Sequence, residues 1–129
     1  YSSYAPVAII PNFSYGIPIL EKILKQLDTS DWKVSIKEVH HKEKKDSPSG
    51  TAKLLSGILG GVSNITSVRE EDVFGEHVVK LENNNEVIEF THKAKSRDIF
   101  AYGCMRYVDW ILRQQPGIYN GMTEEKIYN

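Results

Sequence analysis

The sequence predicts an α+β fold, an open mixed β-sheet with helices packed on one of its faces. Three observations predict it. Strand-like alternation and helix-like periodicity take turns along the chain. The apolar stripes are one-sided, so each element has one face to bury and one to leave in water. And 129 residues, with 40% hydrophobic and 26% charged side chains, suffice for one ordinary core without disulfides or metal.

The elements follow in order. Val7 to Ile10 is a short apolar run closed by Pro11, read as a buried strand. Ile19, Leu20, Ile23, Leu24 and Leu27 recur at helical spacing, with Glu21, Lys22, Lys25 and Gln26 opposite them. After the polar connection from Asp28 to Asp31, Trp32 to His41 alternates as a strand. Val34, Ile36, Glu38 and His40 share one face of it; Lys33, Ser35, Lys37, Val39 and His41 share the other. A charged loop from Lys42 to Pro48 leads into a helix from Ser49 to Leu59, which Gly60 and Gly61 stop. Ile65 to Val68, His77 to Leu81 and Val87 to His92 read as the strands of a meander, with Asn83, Asn84 and Asn85 as its last turn. A long helix from Asp98 to Gln114 is expected to bury Phe100, Cys104, Tyr107, Val108, Ile111 and Leu112, and Pro116-Gly117 ends it. Met122 to Tyr128 is read as one more short turn of helix. No internal repeat or low-complexity segment interrupts the chain, so residues 1–129 are expected to form one domain.

Charge and composition narrow the function. A formal net charge of -1 gives no global field to attract nucleic acid or an anionic membrane, so neither is expected as a partner. No apolar run is long enough to span a bilayer as a helix. One cysteine, Cys104, excludes an intrachain disulfide and fits a reducing, cytoplasmic setting, or a plastid for a plant-type source. The abrupt start at Tyr1, with no basic leader segment, suggests a cut from a longer chain.

The informative segment runs from Glu38 to Ala52. A strand ends in two histidines, a basic loop follows, and the loop enters Ser49-Gly50-Thr51 at the start of a helix. The first amides of a helix are unpaired and carry partial positive charge. Gly50 lets an anion approach the backbone, the Ser49 and Thr51 hydroxyls add donors, and Lys44 and Lys45 hang beside them. That combination suits a small anion, with spare cations for a second negative group. Taken singly, Ser49 and Thr51 could cap the helix, the histidines could be surface residues, and the lysines could be a solvated loop.

The segment carries every fixed position of Glu-x-His-His-x-x-Lys-x-Asp-x-Pro-Ser-Gly-Thr-Ala, and so resembles the dihydrodipicolinate reductase family. Those positions are Glu38, His40, His41, Lys44, Asp46, Pro48, Ser49, Gly50, Thr51 and Ala52. The resemblance extends to Asn12-Phe13-Ser14-Tyr15-Gly16, to Arg69 with Gly75-Glu76-His77, to Thr91-His92-Lys93-Ala94 with Ser96-Arg97, and to Pro116-Gly117-Ile118-Tyr119. Two departures stand out. Glu71 occupies a position where the family usually has glycine, and the tail at Asn120-Gly121-Met122 carries an extra residue.

The resemblance implies the C-terminal substrate-binding and tetramerisation domain of a reductase in lysine and diaminopimelate biosynthesis, with the N-terminal Rossmann domain absent from this chain. It implies that 4-hydroxy-tetrahydrodipicolinate (dihydrodipicolinate) is reduced to tetrahydrodipicolinate by NADPH or NADH, bound mainly by that N-terminal domain. By the same resemblance His40 and Lys44 are catalytic, and His41, Ser49, Gly50 and Thr51 contact the dicarboxylate substrate. Asn12, Phe13 and Arg97 are implied as cofactor contacts, and a homotetramer as the assembly. His77 and His92 are read as structural, and no metal is expected, because the histidine spacings do not match those of usual ligand sets. No Gly-rich strand–turn–helix for a dinucleotide is present, so the chain alone should not turn substrate over. A non-catalytic assembly or dicarboxylate-sensing module on the same fold is the alternative.

Overall fold

The alternation around Trp32 to His41 becomes the central strand of a mixed sheet in the computed structural model, which describes residues 1–121. The chain divides into two compact units, one formed by Tyr1–Ser14 with the chain from Asp98 onward, the other by Tyr15–Arg97.

The larger unit opens with α1 (Gly16–Leu24) and continues through β2 (Lys33–His41), α2 (Gly50–Ile58), β3 (Asn64–Glu70), β4 (Glu76–Glu82) and β5 (Val87–Lys93). The smaller unit holds β1 (Pro6–Ala8), α3 (Asp98–Ile111) and β6 (Gly117–Tyr119). No helix among the described residues is long and apolar enough to cross a membrane.

The sheet order in the larger unit is β3-β2-β4-β5. It corrects the expected meander. Helix α2 carries the chain back to the start of the sheet, so β3 runs parallel to β2, while β4 lies on the other side of β2 and antiparallel to it. A β–α–β crossover and a strand placed beside its grand-predecessor leave no trace in local alternation. The core lies between one sheet face and the two helices. Ile36, Val79 and Leu81 meet Ile17, Leu20 and Leu24 of α1 and Ala52 and Leu55 of α2. Helix α1 is turned from its expected stripe: Ile17 is buried, whereas Ile19 and Ile23 are exposed.

In the smaller unit β1 and β6 pair in parallel, from Pro6 with Gly117 to Ala8 with Tyr119. Neither strand is as expected. β1 ends at Ala8 rather than Ile10, and β6 hides behind the punctuation of Pro116-Gly117. Helix α3 also corrects its predicted stripe, since Gly103 and Trp110 are its buried residues while Val108 and Leu112 are exposed. Gly103 decides the rotation. A Cβ built there would lie 1.6 Å from the Phe13 carbonyl oxygen, so only glycine allows the backbones to come this close. Tyr107 and Trp110, four and seven residues further on, continue that face. Tyr107 meets Phe13 edge-on, and Trp110 meets Tyr119. The short turn of helix predicted from Met122 to Tyr128 lies outside the described residues.

Candidate active site

Register across the larger sheet sorts its helix-side face into rows. Ile65, Ile36, Val79 and Phe90 stand side by side on β3, β2, β4 and β5 as an apolar row. Two residues along β2, the next row is polar across all four strands: Ser67, Glu38, His77 and His92. The row after that begins with Arg69 paired to His40. The core therefore grades from hydrocarbon to ionisable groups along one strand, toward the end where α2 begins.

Glu38 is the centre of this network. Its side chain is 0% exposed, so an uncompensated charge there would be very costly. It is compensated. Arg69 Nη1 donates to Oε1 at 2.9 Å, His40 Nδ1 meets Oε2, and Ser67 adds a hydrogen bond. Burial alone would raise the Glu38 carboxyl, but these partners outweigh it and hold it below the usual carboxylate range.

Burial is the largest influence on His40 and lowers its proton affinity. Glu38 pulls the other way, while Lys44 and Arg69 add to the lowering, and the net shift is downward. With Nδ1 on Glu38, Nε2 is the nitrogen left to exchange a proton with a ligand. Gly75 keeps this nitrogen accessible. A Cβ at that position would lie 3.3 Å from Nε2, and φ of +128° suits glycine alone.

His77 continues the row. Its ring meets that of His40 edge-on at 5.1 Å, and its Nε2 lies 3.0 Å from the Ser49 hydroxyl. Burial above all, with the neighbouring His40, lowers its pKa to about 4, so the ring is neutral. Its Nδ1 is buried and has no hydrogen-bond partner among the described residues. Donor atoms of Glu38, His40 and His77 lie within 4.8 Å of one another, a grouping that sequence spacing did not reveal. The Arg69 cation already occupies Glu38, however, and would repel a metal ion at that point.

Ser49 is the N-cap of α2: its Oγ accepts the Ala52 amide at 3.1 Å. The hydroxyl is thus committed to cap and histidine. Thr51 is buried as well. Gly50, the first residue of α2, is exposed and has open space where a Cβ would stand. The loop returns to this point, for Lys44 Nζ pairs with Asp46 Oδ1 at 2.8 Å, and the Asp46 carboxylate accepts the Gly50 amide. These contacts, the Lys44 pair first, hold the Asp46 carboxyl below its ordinary value.

The residues expected at the site fall into three groups. His40, Lys44, Ser49 and Gly50 come together through the bonds of Glu38, Arg69 and Asp46 and the ring contact of His40 with His77, and Thr51 is buried in the first turn of α2 beside them. His41 closes β2 opposite Glu70; strand alternation turns it to the other face from His40, and its Nδ1 has no hydrogen-bond partner among the described residues. Asn12 and Phe13 belong to the smaller unit, where Asn12 Oδ1 accepts the Ser14 amide and Phe13 packs on Tyr107, and Arg97 is an exposed residue at the end of the larger one. Sequence reasoning missed Arg69 and His77 as members of the network. Each lies on the correct face by alternation, but only strand register sets them beside Glu38 and His40. The departure at Glu71 proves local. Asp72 takes the left-handed conformation at φ +57°, and Glu71 forms an exposed pair with Lys42 at 3.1 Å.

The family model described as "Dihydrodipicolinate reductase, C-terminus" matches residues 16–124. The chain belongs to that family. Among curated members, the 4-hydroxy-tetrahydrodipicolinate reductase of Methanosarcina acetivorans is 39% identical over 87% of this chain and 51% of its own length. That of Thermosipho africanus is 42% identical over 84% of this chain and 51% of its own. The chain thus spans about half the length of the curated relatives it matches. A dipicolinate-bound dihydrodipicolinate reductase from Paenisporosarcina sp. TG-14 shares the fold, with a TM-score of 0.68 at 19% identity over 88% of this chain and 52% of that one.

Proposed function

We propose that this chain binds the substrate and delivers the proton in a reductase that converts 4-hydroxy-tetrahydrodipicolinate to tetrahydrodipicolinate. The observation that carries this reading is the joining of His40, Lys44 and the start of α2 into one hydrogen-bonded group within one unit, through Glu38, Arg69 and Asp46. The names of the family's relatives supply the reaction.

One carboxylate of the substrate takes the place of the Asp46 carboxylate between the Lys44 ammonium and the Gly50 amide. The helix N-terminus and the lysine are both suited to an anion, and the space over Gly50 admits one. The 4-hydroxyl leaves as water to give the conjugated dihydrodipicolinate ring; that ring accepts the hydride, and His40 gives its Nε2 proton to complete the product, with Glu38 holding Nδ1. The unliganded site keeps the His40 proton loosely, and the arriving dianion raises its proton affinity. Binding is therefore coupled to proton uptake, which calorimetry in buffers of different ionisation enthalpy reads. A reduced nicotinamide, NADH or NADPH, supplies the hydride. The described residues form no Gly-rich cradle for its nucleotide, since Gly60 and Gly61 close α2 instead of opening a helix. Cofactor contacts from Asn12, Phe13 and Arg97, substrate contacts from His41 and Thr51, a homotetramer and a cytoplasmic setting belong to the same reading through the family resemblance.

The test is substrate-dependent oxidation of NADPH or NADH by the whole protein. His40→Gln is expected to lower kcat by roughly 100-fold or more, the usual contribution of general acid catalysis. Undiminished kcat in that variant would reject His40 as the proton donor.

A further inference from the structure

We propose that Arg69 is a positioning residue of this site: one guanidinium clamps the Glu38 carboxylate and the backbone of the Lys44–Asp46 loop, and so sets His40 and Lys44 in register. The proposal rests on the reductase reading above. Nη1 donates at 2.9 Å both to Glu38 Oε1 and to the Val68 carbonyl. Nη2 donates to the Asp46 carbonyl at 2.6 Å, and Nε lies 3.4 Å from the Lys44 carbonyl. The other Glu38 oxygen holds His40 Nδ1. A single planar group therefore links the strand that carries His40 to the loop that carries Lys44.

Charge balance for Glu38 alone would not need this arrangement. A lysine at position 69 could supply the cation, but its ammonium is a point charge on a flexible stem and lacks the fork that spans carboxylate and loop together. The loop backbone has no comparable side-chain anchor among the described residues; the Lys44 amide adds only a local turn to the His41 carbonyl. Releasing it would free Lys44 and, through Asp46, the contact with the Gly50 amide. Errors of about 1 Å in such groups are felt in turnover more than in ground-state binding.

The experiment is steady-state kinetics of the intact reductase with Arg69→Lys and Arg69→Gln across pH. Arg69→Gln is expected to lower kcat about 30-fold or more while KM for the substrate changes less than about fivefold, and Arg69→Lys to keep about a tenth of wild-type kcat or less. The alkaline limb of kcat/KM should move upward in Arg69→Gln. The charged and titratable groups facing His40 are Glu38 from β2, Arg69 from β3, His77 from β4 and Lys44 from the loop, and the variant removes one cation from this set. A folded Arg69→Lys with kcat within about threefold of wild type overturns the proposal, because charge alone would then suffice. This variant decides the matter even where Arg69→Gln fails to fold. Failure of the reductase reading looks different: the wild-type protein would not reduce the substrate. Nitrogen-15 NMR of this site then still decides, because Arg69→Lys should blur the Nδ1-protonated tautomer of His40 and an unchanged spectrum rejects the clamp.

Discussion

His77 Nε2 lies 3.0 Å from Ser49 Oγ, and the same oxygen accepts the Ala52 amide, so one hydroxyl ties the centre of the sheet to the first turn of α2. Loss of an N-cap costs about 1 kcal/mol, and a buried polar nitrogen left without its partner costs about 1–3 kcal/mol. Ser49→Ala should therefore lower the unfolding free energy by about 2–3 kcal/mol, read from urea denaturation. A loss under about 0.5 kcal/mol would mean that the hydroxyl joins nothing of consequence.

His77 should make stability fall with acid. Its pKa drops from 6.5 in the unfolded chain to about 4 in the fold. Above the unfolded value both states hold a neutral ring, and the full stability is present. Between the two values the unfolded chain takes a proton that the fold refuses, and below about 4 the loss is complete. At about 1.4 kcal/mol per pH unit the loss reaches roughly 3 kcal/mol. Urea midpoints measured down this range should slope less in His77→Gln than in wild type. Parallel slopes would assign the acid sensitivity to other groups.

Gly75 couples the backbone to His40. Alanine there must adopt φ near +128° and push its methyl toward Nε2, which stands 3.3 Å from the built Cβ. Gly75→Ala should cost about 1–3 kcal/mol of stability and displace the ring, lowering kcat about tenfold or more. Wild-type stability and turnover together would show that the turn tolerates a side chain and that the ring has room to move.

The legible part of this protein was the part written locally. The Ser49 cap, the Gly60-Gly61 stop, the alternation of β2 and the segment from Glu38 to Ala52 all follow from near neighbours in sequence. What stayed hidden depends on pairing across distance. Arg69 reaches Glu38 from 31 residues away, and His77 reaches Ser49 from 28, contacts that no periodicity encodes. The rotation of α3 was missed for a similar reason, because Gly103 contributes nothing to an apolar stripe yet fixes which side meets Phe13.

The central claim is that a dicarboxylate is held where the Lys44 loop meets the start of α2. Calorimetric titration of pyridine-2,6-dicarboxylate, a planar analogue, into wild type and Lys44→Ala tests it most directly. Saturable binding in wild type and affinity at least about tenfold weaker in the variant is the predicted result, the loss of one charge-assisted contact. Equal affinity in the two proteins would contradict it.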